Sequence, residues 1–555
     1  MKSKSTLRPI IILLPGLLFV AMLVFVFVDA GAFYNTLNSF FITMMTNMGW
    51  LVSLIMLFFV GVCLVILFSP IGKIRLGGPK AKPKFSYMQW FGISLCTGIG
   101  AGVVFWGAAE PLLFAMEPAP SLGIAPGSNE AILWAMRTCF LHWGITPYAS
   151  CVVMGIVLSY VCLNKKAPFK ASSALVPIFG KKVLNSKWAD AFDALSAFAL
   201  TGAVAGGLGY GMMQLSQGIY GFLGIKPSPV VYIGLIVFMF VCYNASALSG
   251  LQKGITWLSN RNTQLFFILL AFMFLFGPMS YIANLFTESL GEYVGHFIQA
   301  STFTAPYANG GLWPQWWDMY WWVDWLAYAP LLGLFMVRVG YGRTLREFIL
   351  VEWAFPALFG IVWFSVFGGN VLNAQFFQNI DFYSIYKTLG AEALTLAVFE
   401  TVPLSAIVKV VMLTIITISL VTQCDSMVVT LAGMSLKEGS DSKEPPVAIK
   451  LFWGILFAVI ALIFTLLGGI DGVKIIKSIC GMPLAFLCLF IVVGFIAYMA
   501  KRPRTVTGEY EYEAEIADEP DNGEPEAAQS QILVNIMERL KKKRASSAIE
   551  SEFLE

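Results

Sequence analysis

Seven aromatic residues crowd the stretch WWDMYWWVDWLAYAPLLG: Trp316, Trp317, Tyr320, Trp321, Trp322, Trp325 and Tyr328, with the carboxylate of Asp324 among them. On a helix advancing ~100° per residue, Trp321, Asp324, Trp325 and Tyr328 fall within an arc of ~100°, so three rings and one carboxylate share a face. The faces of electron-rich rings attract organic cations, including quaternary ammonium groups that cannot donate a conventional hydrogen bond. A carboxylate beside them adds charge and accepts hydrogen bonds from N–H or O–H groups. An ionisable side chain within an apolar span normally faces a cavity or a partner. Asp324 therefore either meets a cationic ligand or pairs with a basic side chain or a tyrosine hydroxyl. The outer rings, Trp316 and Trp317, also suit an aromatic belt at a membrane interface.

Two further segments can complete such a cage. LHWGITPYASC supplies Trp143 and Tyr148, with His142 before them and Cys151 after, and Pro147 is expected to break its helix near the same depth. CTGIGAGVVFWGAAEP carries Gly98, Gly100 and Gly102 at alternate positions within an apolar run. Each glycine weakens a helix by ~1 kcal/mol and frees backbone groups from the helical ladder. Unwound backbone survives in a membrane only where it is buried in protein or lines a cavity, and there its amides and carbonyls can bind ions and solutes. Close helix packing through small residues is the other reading of the same glycines.

The elements that hold these residues are read from composition. Of 555 residues 58% are hydrophobic and 12% charged, a balance that requires lipid as solvent. The net charge of +3 is scattered, which excludes the clustered basic footprint of a nucleic-acid binder. Nine cysteines without short paired spacing form neither a disulfide framework nor a zinc motif, and two distant histidines offer little to a metal-dependent enzyme. Apolar runs predict twelve membrane spans, at about 9–30, 49–69, 88–116, 131–163, 187–222, 228–248, 262–287, 316–338, 346–369, 403–435, 447–468 and 475–500.

Lysine and arginine gather in the even-numbered loops: Lys73, Arg75, Lys80, Lys82 and Lys84 after the second span, Lys165, Lys166, Lys170, Lys181 and Lys182 after the fourth, Arg338, Arg343 and Arg346 after the eighth. Positive charge accumulates on the cytoplasmic side, so both termini are expected there. Residues 288–315 include ESLGEYVGHFIQAST, which reads as an interfacial amphipathic helix, and residues 501–555 form a polar, charged cytoplasmic tail.

Together GIGAG with FWGAAEP, LHWGITP, GLQKG at Gly250 to Gly254, and the aromatic eighth span closing in RVGYGRTLREF are highly specific, and through them the chain resembles the betaine/carnitine/choline transporter family over roughly residues 50 to 500. The resemblance implies an all-α polytopic membrane protein with a leucine-transporter-like core. Two inverted five-helix repeats, residues 88–287 and 316–500, would follow two helices in residues 1–87. It also implies alternating access around a central site made by spans three, four and eight, a homotrimer, and a place in the inner (plasma) membrane.

Carried over by position, the resemblance keeps Trp143, Trp322 and Trp325 as tryptophans and puts Tyr148 and Tyr328 where the sodium-coupled betaine branch has tryptophans. Cys151 stands in place of a tyrosine wall, and Asp324 in place of a tryptophan. Trp321, Gly98 and Gly100 complete the expected substrate site. For a coupling sodium ion, the resemblance assigns the carbonyls of Cys96 and Ile99, the hydroxyl of Thr422 and the side chain of Gln423. Asn262 stands where sodium-independent carnitine exchangers carry an arginine, and Leu200 and Val204 remove a second sodium position.

The expected function is secondary transport of a small quaternary-ammonium or related organic cation or zwitterion, of betaine, choline or carnitine type, coupled to sodium and needing no cofactor. Sodium-independent exchange, and proton-coupled transport of a non-quaternary amine or other small osmolyte, are the alternatives. A channel would more often show a pore loop with repeated polar filter residues, which this sequence lacks.

Overall fold

The computed structural model describes residues 7–98, 100–249, 253–307, 311–437 and 445–501. Ile99, residues 250–252 of the GLQKG motif and nearly all of the charged tail lie outside the described residues.

The chain enters through α1 (Pro9–Val28) and α2 (Ala30–Phe68), joined by Asp29 alone. Asp29 is extended, and its Oδ1 accepts the Ala32 amide at 2.8 Å, so one residue both ends α1 and caps α2. The second span therefore begins at Ala30 rather than near 49, because the polar residues Asn35, Thr36 and Asn38 sit on an unbroken helix instead of a loop. Next come α3 (Tyr87–Gly98) and α4 (Gly100–Met116), and the axis of Gly102–Met116 is bent by 66° from that of α3. This is the interruption expected of Gly98 and Gly100.

Helices α5 (Asn129–Trp143) and α6 (Ile145–Ser159) form the fourth span. Their break lies at Gly144, not at Pro147. A side chain at Gly144 would collide with the Phe140 carbonyl. Pro147 instead falls within the first turn of α6, where a missing N–H has no helical acceptor to lose.

Helices α7 (Lys187–Leu223), α8 (Pro229–Ser249) and α9 (Lys253–Phe276) follow. The amphipathic helix α10 (Met279–Gly295) starts earlier than expected, since Gly277 and Pro278 end α9 about ten residues before the predicted limit of the seventh span. Then come α11 (Asp318–Val339) and α12 (Leu345–Phe377). Two short helices, α13 (Phe382–Leu389) and α14 (Ala391–Ala397), lie against α4, where Thr395 Oγ1 donates to the Phe105 carbonyl at 2.9 Å. The last helices are α15 (Ser405–Met434) and α16 (Val447–Ala500).

Ten of the described helices are long and apolar enough to cross a membrane, eleven when bent α3–α4 counts as one span. Helix α16 has 54 residues, about 81 Å at ~1.5 Å per residue, far more than the ~30 Å of a hydrocarbon core. It breaks at Gly469, whose φ of 51° is left-handed backbone open to glycine.

Glycines decide how closely these helices approach. On α7, Gly202, Gly206 and Gly209 form a stripe, and added methyls there would meet Cys480, Lys477 and Thr465 of α16. On α16, a methyl at Gly481 would meet the Val323 carbonyl of α11. The stripes press α16 against both neighbours, as small residues do in lipid where apolar surface alone drives little association. This packing brings residues of α11 and α16 face to face.

Candidate functional site

The interruption of α3–α4 opens onto a small buried cavity of about 40 Å³ lined by Gly98, Gly102, Trp143, Gly207, Tyr210, Trp321, Asp324, Trp325, Tyr328, Gln423 and Lys477. The predicted arc of α11 is realised, with Trp321, Asp324, Trp325 and Tyr328 all on the lining. Trp143 meets Trp321 edge to face at 4.7 Å between centroids, and Trp325 at 6.5 Å. Gly102 leaves the room that Trp143 needs, since a methyl there would stand 2.9 Å from the indole.

Other expected residues stand behind this lining. Tyr148 packs edge-on against Trp325 at 4.9 Å. The Cys151 thiol points to the Trp325 carbonyl at 3.6 Å and ties α6 to α11. Trp322 turns its ring to His142 at 5.7 Å. Gly100 opens α4 at the bend.

Asp324 has a partner that the sequence reading did not name. Its Oδ2 lies 2.6 Å from Nζ of Lys477 on α16, and both side chains are buried. Lys477 Nζ also lies 5.2 Å from the centre of the Tyr210 ring and 5.9 Å from that of Tyr328. Asp324 Oδ1 and Gln423 Oε1 are buried without a hydrogen-bond partner among the described residues. An intramembrane lysine is a functional candidate by the same rule that singled out Asp324. The sequence carried that signal at Lys474 and Lys477.

Glu110, the acid of FWGAAEP, orients the cage. Its Oε2 accepts Trp143 Nε1 at 2.5 Å, and its Oε1 accepts Trp321 Nε1 at 3.2 Å. His142 reaches Glu110 Oε1 through Nδ1 at 2.5 Å and Asp318 Oδ1 through Nε2 at 2.7 Å. Each of these two contacts needs a proton between its atoms, so the group holds one more than a neutral imidazole supplies. Toward the start of α11, the Lys474 ammonium stands 3.3 Å from the centre of the Trp317 ring and 5.0 Å from that of Tyr320.

A sequence model described as "BCCT, betaine/carnitine/choline family transporter" matches residues 10–504. The chain belongs to this family. The glycine betaine transporter OpuD of Bacillus subtilis is 33% identical, over 83% of this chain and 88% of that protein. The ectoine/hydroxyectoine transporter of Virgibacillus pantothenticus is 31% identical, over 82% and 89%. The osmo-independent choline transporter BetT1 of Acinetobacter baylyi is 28% identical, over 80% and 84%. Among solved structures, a substrate-bound outward-open Na+-coupled sialic acid symporter matches with a TM-score of 0.41 and 13% identity, over 79% of this chain and 85% of that one. As a BCCT member the chain is a multi-pass secondary transporter and not an enzyme.

The cation positions expected for a BCCT protein divide between two places. Cys96 lies in the last turn of α3, where carbonyls lack intrahelical donors. Thr422 donates its hydroxyl to the Ile418 carbonyl at 2.7 Å, which leaves its oxygen lone pairs free. Asn262 Nδ2 donates to Ser419 Oγ at 2.8 Å and to Cys96 Sγ at 3.5 Å, so α3, α9 and α15 meet there. Gln423, by contrast, lies on the central cavity. Ile99 is outside the described residues.

Proposed function

We propose that this transporter carries a small organic cation or zwitterion through the cavity between α3–α4, α5 and α11 by alternating access, coupled to one sodium ion near Cys96 and Thr422. The observation that carries the reading is the cage itself: Trp143, Trp321, Trp325 and Tyr328 line one buried cavity that also holds charge. Ring faces with few competing donors select ammonium groups. The printed names of the relatives, for glycine betaine, ectoines and choline, support the same class. The family resemblance further supports a homotrimer in the inner membrane, and the lysines and arginines of the even-numbered loops support cytoplasmic termini.

The test is uptake into proteoliposomes with and without a sodium gradient. Trp325→Ala and Trp143→Ala should each weaken substrate affinity about 5- to 30-fold at unchanged expression, because ring stacking on a desolvated cation is worth on the order of 1 to 2 kcal/mol. Unchanged affinity in both removes the cage from this reading. Uptake should follow sodium with a Hill coefficient of about one and weaken in Thr422→Ala, as a single hard-cation site requires. Undiminished uptake without sodium at constant pH defeats sodium coupling. The buried Glu110–His142–Asp318 group supports proton coupling as the second reading, and uptake driven by a proton gradient alone would favour it.

A further inference from the structure

We infer that the Asp324–Lys477 pair is a two-pole receptor, selecting a zwitterion that carries at least one N–H on its cationic end and a carboxylate on its other. This rests on the cavity being the transport site and narrows its substrate class.

Three observations carry it. First, both partners line the cavity, 2.6 Å apart and buried. The pair brings no net charge, so a bare cation or a bare anion would bury an uncompensated charge among the rings. A zwitterion instead exchanges one matched pair for two, its ammonium on Asp324 and its acid on Lys477, and leaves neither side chain alone.

Second, the unpartnered oxygens Asp324 Oδ1 and Gln423 Oε1 both belong to lining residues. Orphaned buried acceptors call for a donor, and only an N–H or O–H group satisfies them. A fully methylated ammonium has no such hydrogen. It fits a cage of rings alone but leaves both oxygens empty. A tertiary or secondary ammonium, or a cyclic amidinium, uses the rings and the oxygens together.

Third, the cavity is small, about 40 Å³, and the two charged side chains meet across it. Something on the wall must move when substrate enters. The close contact across the wall is the ion pair, and a ligand that offers each partner an equivalent contact is the one that can part it.

The test is binding to the purified full-length protein, measured by calorimetry in saturating sodium, with ligands differing in one group. N,N-Dimethylglycine and glycine betaine differ by one N–H. N,N-Dimethylglycine and dimethylaminoethanol share the ammonium and differ in the acid. The expected result is that N,N-dimethylglycine binds at least tenfold more tightly than either. Asp324→Asn should abolish the preference for the N–H ligand over glycine betaine, and Lys477→Met the preference for the acid over the alcohol. The neutral double variant Asp324→Asn/Lys477→Met, which leaves no single buried charge, should lose both preferences while keeping its folded thermal transition. Glycine betaine binding as tightly as N,N-dimethylglycine to the parent protein overturns the inference and leaves the cage reading standing. Binding of no ammonium compound overturns both.

Discussion

Glu110 accepts from the ring N–H groups of Trp143 and Trp321 while it pairs with His142 Nδ1, and so sets the angle of the two indoles that wall the cavity. Glu110→Ala strands these donors in a dry site at ~1 to 3 kcal/mol each. Substrate affinity should fall at least tenfold. Glu110→Gln keeps one acceptor oxygen and should fall between parent and alanine variant in the same binding assay. Equal affinity of all three proteins would remove the positioning role. At this scale the ring side of the site was legible, because helical period alone puts Trp321, Asp324, Trp325 and Tyr328 on one face. Lys477 stood out only as a lysine within an apolar run, and its meeting with Asp324 was not legible, since it joins positions 153 residues apart (477 − 324) on different helices. No local pattern encodes such a contact.

The helices themselves were legible as apolar runs, and the bend at Gly98 and Gly100 as a glycine cluster. Their ends were less so. Asn35, Thr36 and Asn38 read as loop, yet the residues ride on α2. Pro147 drew the predicted break to itself, although a proline is tolerated in the first helical turn and the crowding that forbids a side chain falls on Gly144. What length and polarity could not show was the role of the glycines of α7 in seating α16. Gly202→Leu should force α16 away, since even its first carbon would stand 2.6 Å from Cys480 Sγ. Overpacking of this kind costs typically ~1 to 3 kcal/mol. Its thermal transition should drop by several degrees and uptake should be lost. Gly221→Ala on the same helix meets nothing within 4 Å and should stabilise by up to ~1 kcal/mol. If Gly202→Leu is as stable as the parent, the stripe does not govern the α7–α16 contact.

For the molecule as a whole, alternating access requires that the two ends of the cavity open in turn, and α11 runs the distance between them. At its start, the Lys474 ammonium lies against Trp317 and Tyr320. Past its end, the Arg343 guanidinium lies 3.9 Å from the centre of the Tyr87 ring and 5.6 Å from that of Trp90, and Nη2 donates to the Phe85 carbonyl at 2.7 Å. Arg343 thus fastens the start of α3 to the segment between α11 and α12. The motif RVGYGRTLREF, noticed in the sequence as a family resemblance, acquires a physical task as the latch of that end. Removing the guanidinium deletes a cation–π contact worth ~0.5 to 2 kcal/mol and a charge-assisted hydrogen bond worth ~1.5 to 3 kcal/mol. Only states with this end closed lose them, so Arg343→Ala should shift the population at least tenfold toward opening there. Cys96, buried on α3, reports the shift. A membrane-impermeant thiol reagent applied from the Arg343 side should label Cys96 at least tenfold faster in Arg343→Ala than in the parent, while concentrative uptake falls. Arg343→Lys, which keeps the charge but not the planar stacking, should lie between the two. Equal labelling rates in all three proteins would show that this end is held shut by other contacts.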